Sequence, residues 1–215
     1  MGKSQRHGRL PLTNPSIATP FRLRLRLHYK AARVGGVMRI HREGTLIIEI
    51  RKAEKADVPA ILDLVRGKAE FDGCLNSLQS TEADIEEAFF SEQPKAFALL
   101  AMKSGEAVGI ATYYSIYSTF IAKPGIWLDD LFVYPQFRGS GVGEALLSEL
   151  CILAQNTGCG RIDWIVATDN DRGRSFYERS GARIFEEVRR ARLDECAINA
   201  LAEKAHNKAM HPTSG

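Results

Sequence analysis

Eight residues, QFRGSGVG (136–143), set Gly139, Gly141 and Gly143 at alternate positions directly behind Arg138. With no side chain at three places, backbone N–H groups are able to close on an anion. A helix opening at the end of such a loop adds roughly half a positive charge of dipole. The Arg138 guanidinium can add a charge-assisted hydrogen bond to phosphate. The chemistry spelled by these residues, with Ser140 and Val142 between the glycines, is the cradling of a pyrophosphate. Two other phosphate loops do not fit. The P-loop ends in Gly-Lys-Ser/Thr, whereas this one ends Gly143-Glu144. A dinucleotide loop opens a parallel βαβ unit and has an acid about 20 residues on, at the end of the next strand; here Asp163 falls inside its expected strand.

Asp129 and Asp130 interrupt an apolar run, WLDDLFV (127–133). Two adjacent acids in a strand are costly to bury. They point to opposite faces, so one site takes both only if a bulge intervenes; the plainer alternative is one solvated acid and one in a structural ion pair. Tyr177, in DRGRSFYERSG (171–181), offers a phenol that keeps its proton at neutral pH, with plain packing as the alternative. All five histidines (His7, His28, His41, His206, His211) lie near the termini, so no histidine catalysis is expected. Cys74, Cys151, Cys159 and Cys196 show no Cys-x-x-Cys spacing, which argues against a zinc site or a disulfide framework and fits a reducing, cytoplasmic compartment.

Positioning these residues requires a definite series of elements. TLIIEIRKA (45–53) reads as a strand. Asp57 is expected to cap a helix with Pro59 in its first turn and Ile61, Leu62, Leu64 and Val65 as its apolar stripe. Thr81 and Asp84 form a capping box opening a second helix through Phe90. Residues 96–102 and 107–117 flank the turn Lys103-Ser104-Gly105 as a hairpin. A strand over 125–135 leads into the glycine loop, and a helix over 141–156 turns Val142, Leu146, Leu150 and Leu153 one way. A strand over 161–167, a short helix stopped by Gly181, a last strand or two, and a helix near 194–204 complete a mixed α/β domain without repeats.

The 215 residues carry a net charge of +3, unevenly spread. Residues 1–45 hold ten Lys/Arg against one acid, a balance of +9, while 46–215 hold nineteen against twenty-five, a balance of −6. The body therefore suits a cationic partner better than a nucleic acid. No run reaches the ~18 apolar residues of a membrane span. Three readings stay open for residues 1–45: a disordered basic arm, a transit peptide, or a misplaced start with Met38 as the first residue. Basic tails are usually solvated, which favours the first and third. Residues 46–205 are expected to form the domain and 206–215 a disordered tail.

A Gln/Arg-x-x-Gly-x-Gly loop behind a strand resembles the acetyl-CoA loop of GNAT-type N-acetyltransferases, and the likeness runs from Ile50 to about Ala202. More narrowly, it resembles the diamine (spermidine/spermine) acetyltransferase branch, through WLDDLFV (127–133), RGSGVG (138–143) and NDRGRSFYERSGA (170–182) at matching gaps. The resemblance implies the GNAT fold, an α+β arrangement with a mixed, mostly antiparallel sheet splayed at 127–134 and 161–167 and flanked by helices. It implies acetyl-CoA as co-substrate, a small primary amine as acceptor (a polyamine, diamine or lysine-like molecule), no metal, and a homodimer. Direct attack in a ternary complex is the implied mechanism. A protein N-terminus or an antibiotic as acceptor, or a non-catalytic acyl-CoA-binding module, are the rival readings.

The same resemblance assigns roles. Tyr177 becomes the acid that protonates the leaving thiolate. Asp129 becomes the base or ammonium anchor, where the branch has glutamate. Leu131, Phe132 and Val133 lend main-chain groups to the cofactor, as do Gly139, Ser140, Gly141, Val142 and Gly143, while Arg138 adds its guanidinium. Asn170 and Gly173 stand against the cofactor arm, with a plain helix cap as the alternative for Asn170. Phe71 and Asp72 match an aromatic–glutamate pair that meets the polyamine, and Trp164 lies beside the acceptor cleft. Asp169 stands where the branch has an aromatic residue.

Overall fold

The computed structural model describes residues 29–34, 37–42 and 47–210. Residues 1–28 of the basic arm and 211–215 of the tail lie outside the described residues. The chain divides into two compact units with the boundary between Ile162 and Asp163.

In the first unit, antiparallel strands follow one another in chain order: β1 (Tyr29–Val34), β2 (Val37–Arg42), β3 (Ile47–Lys52), β4 (Phe97–Lys103), β5 (Glu106–Ser118) and β6 (Lys123–Val133). Helix α1 (Val58–Phe71) and helix α2 (Glu82–Phe90) pack together, and helix α3 (Val142–Asn156) packs across β3 to β6. One core joins Val58, Ile61, Leu62 and Leu64 of α1 and Ile85 of α2 to Ala98, Leu100, Ile110 and Phe132 of the sheet. Alternation along β4 turns Leu99 and Ala101 the other way, and both are buried. Residues 98–101 and 108–113 are buried on both faces, and apart from Thr112 they are accordingly without polar side chains facing a solvated side. Ser104 and Gly105, both at positive φ, close the β4–β5 hairpin in the mirror-image turn that fits strand twist. Thr81 and Asp84 make the expected capping box. Asp57 precedes α1, but its carboxylate does not cap it. It takes two hydrogen bonds from Arg51, at 2.6 and 2.8 Å, and one from the Glu54 amide. Those contacts hold its carboxyl below the usual range, the Arg51 hydrogen bonds first among them.

The sheet begins earlier than the sequence suggests. Residues 29–34 and 37–42, assigned above to the arm, form a hairpin that continues the sheet through β3, with Met38 opposite Ile50. Arginine-rich composition hid these strands, because pairing supplies what local preference lacks. A chain begun at Met38 would lose β1 and leave β2 as an open edge. We therefore expect it to melt several degrees below a chain begun at Tyr29, at about 2–4 °C per kcal/mol for a domain of this size. Equal melting temperatures by calorimetry would show that β1 contributes nothing.

Strand formation stops sooner than expected after α3. Only Ile162–Asp163 is extended (β7), where a strand over 161–167 is expected. In the second unit, helix α4 (Asp171–Arg179) and helix α5 (Glu195–Met210) form, and no strand appears between them among the described residues. Residues 182–193 carry six charges and leave Phe185, Val188 and Leu193 exposed. A β-preferring stretch without a hydrogen-bonded neighbour does not become a strand. Gly181, at φ +90°, ends α4 as expected, and α5 runs to Met210, into the expected tail.

Candidate active site

In the first unit, α1, β6 and the start of α3 converge on the residues singled out by sequence. The register of β5 on β6 decides what the two acids do. Thr112 stands opposite Asp130 and Tyr113 opposite Leu128, so Asp129 is the extra residue of a β-bulge. The bulge that one site for both acids requires is thus present. Asp129 is exposed, and its Oδ1 accepts a hydrogen bond from Trp127 Nε1 at 3.3 Å. Tyr114 stacks on that indole.

Asp130 is the more enclosed acid, with its side chain 26% exposed. Its amide donates to Thr112 Oγ1 at 3.0 Å, and that hydroxyl donates to Asp130 Oδ2 at 3.3 Å. Lys68 Nζ lies 3.7 Å from Asp130 Oδ1 and also pairs with Asp72. Burial pushes the Asp130 carboxyl above its ordinary range; Lys68 and the Thr112 hydroxyl oppose the shift, whereas Asp129 and Asp72 add to it. A carboxyl held up by burial and neighbouring charge is a mark of functional sites. Sequence reasoning weighed Asp130 only as the neighbour of Asp129, and it missed Thr112 and Lys68. The four-residue spacing of Lys68 and Asp72 on a helix was a readable signal. The approach of either residue to Asp130 was not.

The glycine loop leads from β6 into α3. Gly139 (φ +74°) and Gly141 (φ +85°) are left-handed, a conformation that side chains oppose. Gly141 is the N-cap of α3 and has no side chain with which to cap its first turn. A glycine-capped helix N-terminus behind a left-handed glycine fits a phosphate-bearing group. Val142 is buried and packs the helix down. The Ser140 hydroxyl donates to the Phe137 carbonyl, so that side chain serves the loop itself. Arg138 also serves the loop. Its Nε donates to the Val133 carbonyl at 2.8 Å, and its guanidinium lies 4.4 Å above the Phe71 ring and 5.6 Å from Phe132. It ties the loop to β6 and to the end of α1. Phe132 and Val133 are core side chains and Leu131 is half-buried, all three paired with β5. Phe71 is half-exposed, at the end of α1 beside Asp72.

The second unit holds the other candidates. Asn170 Oδ1 accepts from the Gly173 amide at 2.8 Å, the plain helix cap. A Cβ at Gly173 would meet the Asn170 side chain at 2.6 Å, which accounts for the glycine. Tyr177 is half-buried between Trp164, at 4.9 Å, and Phe176, at 5.1 Å between ring centroids. Arg174 pairs with Glu186 and donates to the Thr168 carbonyl, bracing α4 against its flanking loops.

A glycine-capped helix follows a bulged strand, with helices packed over an antiparallel sheet. Residues 64–182 match the acetyltransferase (GNAT) family, more than half of the sequence, and the chain belongs to it. It is 34% identical over 112 residues to the L-ornithine N5-acetyltransferase NATA1 of Arabidopsis thaliana, covering 51% of this chain and 49% of that protein. The chain thus spans about half the length of that relative. It is 30% identical over 142 residues to the thialysine N-epsilon-acetyltransferase of Mus musculus, covering 62% of this chain and 83% of that one. Among solved structures, an integron cassette protein from the mobile metagenome of V. cholerae shares the fold, with a TM-score of 0.61 at 24% identity over 73% of this chain and 98% of its own. Among the described residues, no helix is long and apolar enough to cross a membrane.

Proposed function

We propose that this protein transfers an acetyl group from acetyl-CoA to a small primary amine of the lysine or polyamine type, by direct attack in a ternary complex. The observation that carries the reading is the left-handed Gly139 and Gly141 at the start of α3, directly behind the strand that bears the bulged acid pair. Bound acetyl-CoA supplies the acetyl group as an activated thioester. The amides of residues 139–143 hold its phosphates, and Arg138 keeps that loop in register with β6. An alkylammonium has a pKa near ~10, so a proton must leave it before attack. The acids Asp129 and Asp130 hold the ammonium and take that proton, and the raised carboxyl of Asp130 suits it to accept one. Tyr177 returns a proton to the departing thiolate. Two relatives named for side-chain amines of amino acids support the acceptor class. The family resemblance supports a homodimer, and the cysteine spacing fits a reducing, cytoplasmic compartment.

The test combines ligand binding with turnover. Saturating acetyl-CoA, at ~100 times its dissociation constant, should stabilise the native state by about 2.7 kcal/mol. Gly141→Val should remove that shift, because a side chain at φ +85° displaces the amides. An amine screen with acetyl-CoA should then reveal turnover. A melting temperature that ignores acetyl-CoA, in folded wild-type protein, would overturn the reading.

A further inference from the structure

Along one face of the β5–β6 ladder, the successive cross-strand pairs are Ile110–Phe132, Thr112–Asp130 and Tyr114–Trp127. In a regular strand Asp130 and Trp127, three positions apart, would point to opposite faces. The extra residue at Asp129 changes that alternation, so Trp127 and not Leu128 shares the face of Asp130. This face begins in the core, where Ile110 and Phe132 join α1 and α2, passes the acids, and ends on two half-buried aromatic rings. The Tyr114 and Trp127 rings are stacked, with centroids 6.3 Å apart and planes at 25°. Trp127 Nε1 donates to Asp129 Oδ1 at 3.3 Å, which holds an exposed carboxylate at the edge of the indole. Same-face pairs follow one another about every 7 Å along a strand. The aromatic pair therefore stands beyond Asp130 by the separation of the two ammoniums in a short aliphatic diamine.

We propose that Trp127, backed by Tyr114 and edged by Asp129, holds the second, non-reacting ammonium of a diamine acceptor and so selects acceptors with two cations over those with one. This rests on the function proposed above and deepens it, giving the far charge of the acceptor a place on the protein. A cation within about 6 Å of an indole centre is attracted by the ring, and a carboxylate at the ring edge adds its own charge. An uncharged tail gains neither. The chain's own cation, Lys68, reaches Asp130 from α1, 3.7 Å from its Oδ1. Like charge thus favours the second ammonium toward the aromatic pair rather than toward that helix. With one amine at Asp130 and the other at Trp127, both ends of the acceptor are fixed and the reacting amine is oriented.

A matched pair of amines tests this: 1,5-diaminopentane and pentylamine share a carbon chain and differ by one terminal ammonium. With acetyl-CoA saturating, the wild type should prefer the diamine. Trp127→Leu should lower the ratio of kcat/KM, diamine over monoamine, about tenfold, chiefly through a higher diamine KM. Trp127→Phe keeps an aromatic face and should restore most of the ratio. A merely structural tryptophan would instead lower the melting temperature and affect both amines alike. If Trp127→Leu does not fold, Asp129→Asn at the exposed carboxylate makes the same test, because its charge serves the same ammonium, and the ratio should again fall. An unmoved ratio in a folded variant, or a wild type that does not prefer the diamine, would overturn this inference alone. Failure of the wild type to acetylate either amine, or any other, would overturn the proposed function and this inference with it.

Discussion

Tyr177→Phe is expected to leave the chain folded and to lower turnover ~10²–10⁴-fold, the loss that follows removal of a general acid. The substitution keeps the ring between Trp164 and Phe176, at 4.9 and 5.1 Å, and deletes only the hydroxyl. The melting temperature should therefore stay within about 2 °C of wild type. Acetyl-CoA affinity should barely change, because the phenol acts as negative charge develops on sulfur and not in the ground state. A thioester with a more acidic leaving thiol should recover part of the lost rate, since such a thiolate needs less help from an acid. Near-wild-type turnover with a true acceptor would remove Tyr177 from the mechanism and favour a binding module.

How much of this was legible in sequence depends on how local each cause is. The glycine loop and α3 follow from residues within one turn of each other, and both stand where the sequence put them. The Thr81–Asp84 box and the Ser104-Gly105 turn are equally local. The bulge at Asp129 is not, because it arises from the pairing of β6 with residues 18 positions away. For the same reason the sequence favoured Asp129 by its match to a glutamate, while Thr112 and Lys68 single out Asp130. Val133 shows the limit from the other side. Its place beside the glycine loop was legible, but the bond its carbonyl accepts from Arg138 Nε, five residues on, was not. The strands at 29–42 and the absent one beyond Asp163 show that pairing overrides local preference in both directions.

Asp130→Asn and Asp129→Asn should separate the two acids. Burial raises the Asp130 carboxyl above its ordinary value, so the folded chain binds a proton there more readily than the unfolded chain. By linkage, that group contributes stability below its unfolded pKa and loses it as pH rises through the folded one. At neutral pH the ionised carboxylate is therefore a burden on the fold, and a neutral amide of the same shape should raise the melting temperature or leave it unchanged. The same change removes a proton acceptor. Turnover should fall by ~10²-fold or more, and the acid limb of the rate profile assigned to this carboxyl should vanish. Asp129→Asn alters an exposed group bonded to Trp127, and its effect should appear chiefly as a higher acceptor KM. A purely structural ion pair between Asp130 and Lys68 predicts the reverse for Asp130→Asn, with a lower melting temperature and intact chemistry. Thermal melts at two pH values, set beside a pH–rate profile, decide between them. Sites that give up stability for chemistry gain stability when the chemistry is removed, and Asp130 meets the physical conditions for one.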